Sequence, residues 1–127
     1  MSAFLFEEDF SKIRQDEDFA VEIPHGISDK NQLFAFYAKA LLFPEYFGGN
    51  WDALDECLRD LSWISQKRIA LFHRDIPCIG NPLEQATYLD VLVKCSEDWK
   101  SDPKHELRIV FDPRYADQVK ALCKQEW

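Results

Sequence analysis

Arg68-Ile69-Ala70-Leu71-Phe72-His73 reads as a β-strand. Ile69 to Phe72 is apolar throughout rather than alternating, the pattern of a strand covered on both faces. Leu107-Arg108-Ile109-Val110-Phe111 repeats that pattern, and Phe19–Ile23 is a third strand-like run rich in β-branched and aromatic residues. Helical patterns lie between them. Ser28 is a good N-cap for a helix near Asp29–Leu42, with Leu33, Phe34, Tyr37, Ala38 and Leu41 on its apolar face and Pro44 to stop it. Asn50 can cap a second helix, about Trp51–Leu61. Asn81-Pro82, with Glu84 at the third helical position, starts a third, about Pro82–Trp99. Asp112-Pro113 opens a C-terminal helix that ends near Lys124. Strand, two helices, strand, helix, strand, helix implies an α/β fold: a small three-stranded parallel sheet packed with helices, with an N-terminal extension and an added C-terminal helix. Ala3–Phe6 fits an edge strand and Glu7–Arg14 a short helix, but the acid-rich composition of this region also fits a solvated extension.

Composition bounds the function. The chain has 127 residues, 46% of them hydrophobic and 30% charged, and a net charge of −8. One domain over residues 1–127 is the expectation. The negative balance argues against direct contact with nucleic-acid phosphates and against docking on anionic lipid. Its acidity is uneven: residues 1–22 hold seven acids against two bases, and residues 45–60 hold five against one. No stretch reaches the roughly 20 apolar residues of a membrane span, and Met1–Phe10 does not read as a secretory signal. Cys57, Cys78, Cys95 and Cys123 form no Cys-x-x-Cys pair, so reduced thiols in a cytoplasmic protein are expected. His25, His73 and His105 are isolated, and no phosphate loop or nucleophile elbow occurs. Neither a metal nor another cofactor is expected.

One segment is more than a globular pattern: Phe43-Pro44-Glu45-Tyr46-Phe47-Gly48-Gly49-Asn50-Trp51-Asp52-Ala53-Leu54-Asp55-Glu56-Cys57-Leu58. Gly48-Gly49 permits positive φ before the cap at Asn50. At about 100° per residue, Leu54, Cys57, Leu58 and Leu61 share one face, with Trp51 at its edge. Asp52, Asp55, Glu56, Arg59 and Asp60 take the other. Asp52 and Glu56 are one turn apart, and the helix dipole favours negative charge at this end. An aromatic loop, Tyr46-Phe47, thus precedes a row of carboxylates at a helix N-terminus.

This segment resembles the barstar family of intracellular ribonuclease inhibitors. The match runs from Pro44 to Leu58, and the element order fits the family over a core of about residues 19–111. Phe43 stands where the family has a Leu. The resemblance implies an inhibitor rather than an enzyme: an antitoxin or immunity protein, a monomer when free, that plugs the cationic cleft of a barnase-type ribonuclease. The contact surface it implies is Tyr46, Phe47, Gly48, Asn50, Trp51, Asp52, Asp55 and Glu56. Tyr46 matches the loop tyrosine, and Asp52 and Glu56 match the helix carboxylates that take the place of RNA phosphate. The partner is then a basic extracellular-type ribonuclease or a related toxin. Two departures stand out. Glu56 is one methylene longer than the usual Asp, and Asp55 stands where a Trp is common. A later-helix acid used by the family falls near Lys94 and Glu97, with the register open. These differences keep a non-ribonuclease toxin, or another basic partner, as the alternative.

Overall fold

The computed structural model describes residues 3–45, 47–102 and 104–123. In chain order the elements are β1 (Leu5–Phe6), β2 (Phe19–Ile23), α1 (Lys30–Ala40), α2 (Trp51–Asp60), β3 (Arg68–His73), α3 (Pro82–Trp99), β4 (Glu106–Phe111) and α4 (Ala116–Leu122). Short 3-10 turns cover Phe10–Lys12 and Pro113–Tyr115. The sheet has four strands, not three, in the order β1-β4-β3-β2, with every pairing parallel. The added strand is β1, which pairs Leu5 with Val110 and Phe6 with Phe111. The Glu7 N–H extends this ladder to the Phe111 carbonyl at 3.1 Å.

Alternation along the strands splits the core in two. Val21, Ile23, Ile69, Leu71, Ile109 and Phe111 join the large cluster that holds the helices' apolar faces. Ala70, Phe72 and Val110 face the other way and are closed by Phe10, with Ile13 and Ala20 at the margin. Phe10 stacks on Phe72 with ring centroids 4.6 Å apart. All six residues of β3 are therefore buried, as its unbroken apolar run requires.

The N-terminal acids are more than a solvated extension. Asp9 caps the 3-10 turn, accepting from the Ser11 N–H at 3.1 Å. Asp18 has a side chain only 2% exposed and pairs with the buried Arg68 at 3.3 Å. Arg68 also donates to the Ile13 carbonyl. Arg74 lies 3.8 Å over the Phe10 ring and bonds both Glu22 and the Glu8 carbonyl. A segment that would bury little alone is pinned across the sheet by these charges.

The cap of α1 is Asp29 rather than Ser28. Its side chain accepts from the Gln32 N–H, while Gln32 Oε1 reaches back to the Ser28 N–H and hydroxyl, a shifted capping box. The helix ends at Ala40, well before Pro44. Leu42 turns left-handed at φ 57°, and the Phe43 N–H closes on the Ala38 carbonyl, a Schellman motif without glycine. Trp63 and Trp99 donate their indole N–H groups to the carbonyls of Leu41 and Leu58, both at 2.8 Å, satisfying acceptors that helix ends leave open. α3 spans Pro82–Trp99 from an Asn81 cap. The C-terminal helix begins as a 3-10 turn and is helical to Leu122; Lys124 lies outside the described residues. Among the described residues no helix is long and apolar enough to cross a membrane.

Candidate functional site

After α1 the Phe43 and Phe47 rings pack onto the helix layer. The Phe47 N–H donates to the Pro44 carbonyl at 3.0 Å. The Phe47 ring meets Phe43 at 4.9 Å and Phe34 at 6.3 Å. Tyr46 lies outside the described residues. Of the two glycines only Gly49 is left-handed, at φ +65°. A Cβ on Gly48 would make ordinary contacts, 3.5 Å to the Asn50 side chain and 3.8 Å to Ala53. Asn50 is extended, and its Oδ1 accepts from the Ala53 N–H at 2.8 Å.

From that cap α2 carries its residues as the periodicity predicts. Leu54, Cys57 and Leu58 are buried. Trp51 is half-buried at the edge, packed edge-on against Phe34 at 4.9 Å. Asp52, Glu56 and Asp60 are exposed and spaced at i, i+4 and i+8, one stripe along the helix. Among the described residues, neither Asp52 nor Glu56 has a side-chain hydrogen bond or ion pair.

Asp55 differs. Its carboxylate is held by Arg59 through Nε and Nη2, both at 3.0 Å. Arg59 Nη1 then reaches Asp98 on α3 at 3.1 Å. The Cys95 thiol points at Asp55 Oδ1 from 3.5 Å. Burial, then the Asp55 charge, pushes the Cys95 thiol far above its ordinary range, so it acts as a weak donor and not a nucleophile. The guanidinium fork thus ties α2 to α3 and neutralises the acid at 55. Lys94 pairs with Asp90 and Glu97 is exposed; the α3 acid joined to α2 is Asp98. The spacing of Asp55 and Arg59 announces their pair in the sequence, whereas Asp98 enters only through helix packing.

Beneath the site runs a buried polar chain. The Tyr37 and Tyr88 hydroxyls are hydrogen-bonded, and Tyr88 meets His73 Nε2 at 2.6 Å. His73 Nδ1 lies 3.1 Å from the Val110 carbonyl. A carbonyl only accepts, so Nδ1 carries the proton and Nε2 accepts from Tyr88. Trp51 sits 6.3 Å from Tyr88, which places the root of α2 on this chain.

The geometry is an exposed acidic helix face beside an aromatic loop. Residues 17–112 match the protein-family model described as Barstar (barnase inhibitor). The chain belongs to the barstar family. The match leaves out β1 and the Phe10–Lys12 turn, so the fourth strand and the cover on the second sheet face lie outside it. No curated protein and no solved structure matches the chain significantly. The family is one of inhibitors. Among the described residues no group of His, Cys, Asp and Glu side chains could hold a metal ion.

Proposed function

We propose that this barstar-family protein is a cytoplasmic inhibitor, an antitoxin or immunity protein, that blocks the cationic active site of a barnase-type ribonuclease. Its contact surface is Tyr46, Phe47, Gly48, Asn50, Trp51, Asp52, Asp55 and Glu56. Asp52 and Glu56 stand in for RNA phosphate. The observation that carries this is that both carboxylates are exposed, one helical turn apart, and free of any internal cation among the described residues. A partner's Arg or Lys meets them without first breaking a native ion pair. Their host helix is fixed by the Asn50 cap and by the Arg59 fork to α3, so little ordering entropy remains to be lost on binding.

Asp55 favours a second partner class on a specific ground. Where the family pattern has an aromatic ring, this surface presents an Asp55–Arg59 ion pair. The complementary cleft must be shaped and charged to suit it, which a non-ribonuclease toxin or another basic partner can also be.

The test is RNA cleavage by a barnase-type ribonuclease with and without this protein, and with a variant carrying Asp52→Ala and Glu56→Ala. Breaking a buried charge pair costs about 3–5 kcal/mol, so the variant's Kd should rise at least about a hundredfold. Association of the wild type should slow as salt rises, because the Debye length shrinks from about 10 Å at 0.1 M to about 3 Å at 1 M. Equal inhibition by wild type and variant would show that this face is not the contact surface. No inhibition by either would favour the second partner class.

A further inference from the structure

We propose that the open edge of β4 is a second docking surface, which takes an extended acidic peptide segment of a partner as an added strand. β4 is paired with β3 along its whole length, from Glu106 to Phe111. On its other side β1 pairs only with Val110 and Phe111. Residues 106–109 therefore keep a bare edge, roughly 13 Å long at about 3.3 Å per residue.

The direction of the backbone polar groups follows from the ladder. The Glu106 N–H donates to the Lys67 carbonyl at 2.9 Å and the Asp112 N–H to the His73 carbonyl at 3.0 Å, so the even-numbered residues turn these groups toward β3. The odd-numbered ones face away, as the Phe111 carbonyl does in accepting from the Glu7 N–H. Ile109 is buried, whereas Leu107 is half-buried and within reach of a ligand. The Leu107 N–H and carbonyl thus face the bare edge, with no hydrogen-bond partner among the described residues. Backbone groups in sheets are normally paired, and an unpaired edge is a template for another chain. β1 is already one such addition: it pairs parallel with β4, yet lies outside the family match at residues 17–112.

A groove lies against this edge. It holds about 550 Å³ between the end of α3 and the first residues of β4, with Ala3 and Leu5 among its walls. Charge names the occupant. Lys67, Lys100 and Arg108 line the groove against Asp102 and Glu106. Arg108 holds Glu106 at 3.0 Å, and Asp102 is turned onto His105 at 3.0 Å. Lys67 and Lys100 are exposed and form no ion pair among the described residues. In a chain of net charge −8 this groove carries a local positive excess. It suits a strand whose backbone bonds to Leu107 and whose alternate side chains bring carboxylates to the two lysines. None of the eight residues proposed as the contact surface on and before α2 lines the groove, so this surface does not depend on that function.

The probe is an acetylated Val-Glu-Val-Glu-Val amide. One control has lysine in place of glutamate. A second is the acidic peptide N-methylated at every internal peptide nitrogen, which keeps the charges and cannot donate to a strand. The ¹⁵N-labelled full chain is titrated with each and followed by amide chemical shifts and hydrogen exchange. In the free chain the Leu107 amide should exchange faster than those of Glu106 and Arg108, which face β3. Saturating acidic peptide should shift the Leu107 amide and slow its exchange at least about tenfold, and the two controls should do neither. Lys67→Gln combined with Lys100→Gln should weaken the acidic peptide about fivefold. A Leu107 amide as slow as that of Arg108 in the free chain would mean the edge is already covered and would overturn the proposal. So would equal binding of the glutamate and lysine peptides, or undiminished binding of the N-methylated one. A five-nucleotide RNA that shifts the same amides while Leu107 stays unprotected would overturn it too, making the groove a site for polyanions.

Discussion

Lowering the pH from about 7 to about 5 should remove a defined share of this fold's stability through one residue, His73. Its ring is fully buried and stacks on Phe111 at 4.1 Å. Burial pulls its pKa down from 6.5 to about 4, against the opposing pull of its hydrogen bond to the Val110 carbonyl. The sign follows from proton uptake. Between about pH 6.5 and pH 4 the unfolded chain protonates this histidine and the folded chain does not, so stability falls as pH falls. The contribution is fully present above the unfolded pKa and is lost on approaching the folded one. A gap of this size corresponds to about 3 kcal/mol in total, of which about 2 kcal/mol is lost by pH 5. Protonation would also put a second donor where Tyr88 now donates, breaking the polarity of the Tyr37–Tyr88–His73 chain. The assay is urea unfolding followed by tryptophan fluorescence, on the wild type and on His73→Gln. Glutamine can donate to Val110 and accept from Tyr88, and it does not titrate here. Its stability should lack the wild type's slope over this window, whatever its absolute value. Parallel pH profiles for the two proteins would refute the assignment of a neutral, buried His73.

The remaining predictions concern the loop and the second sheet face. Gly49→Ala should cost about 1 kcal/mol, because position 49 sits at φ +65° although nothing lies within 4 Å of its missing Cβ. Gly48→Ala should stay within about 0.5 kcal/mol, since that backbone is not left-handed and the new methyl meets only ordinary contacts; urea midpoints separate the two. Phe10→Ala should cost about 3 kcal/mol and raise binding of a hydrophobic dye, because Phe10 closes the face of Ala70, Phe72 and Val110. Full stability in that variant would mean the N-terminal segment is not a structural cover.

The elements with strong local signals were legible in the sequence. Phe19–Ile23, Arg68–His73 and Pro82–Trp99 lie where their patterns place them, and the last strand begins one residue earlier, at Glu106. Asn81-Pro82 before Glu84 states its helix start locally. Ala3–Phe6 fits an edge strand, and β1 lies within it, but so short a run has no periodicity to separate strand from extension, and pairing with Val110 and Phe111 makes the difference. Ser28 and Asp29 are both good caps by type, and the choice falls to Asp29 through Gln32, which reaches back past the cap. The acidic stripe of α2 follows from helical spacing alone. The removal of Asp55 from that stripe is half legible, in Arg59 four residues on, and half hidden, in the Asp98 that α3 brings alongside. The acidic block near the N-terminus looked solvated because Arg68 and Arg74, which anchor it, are some 50 or more residues away in sequence.

If the Asp52–Glu56 face takes the place of RNA phosphate in a partner's cleft, a ligand that fills that cleft must exclude it. Affinity for a barnase-type ribonuclease is measured by calorimetry at increasing concentrations of a mononucleotide that fills the enzyme's phosphate site. The apparent Kd should rise linearly with free nucleotide concentration and extrapolate to the nucleotide-free Kd. A complex that forms equally well on the nucleotide-filled enzyme would contradict it.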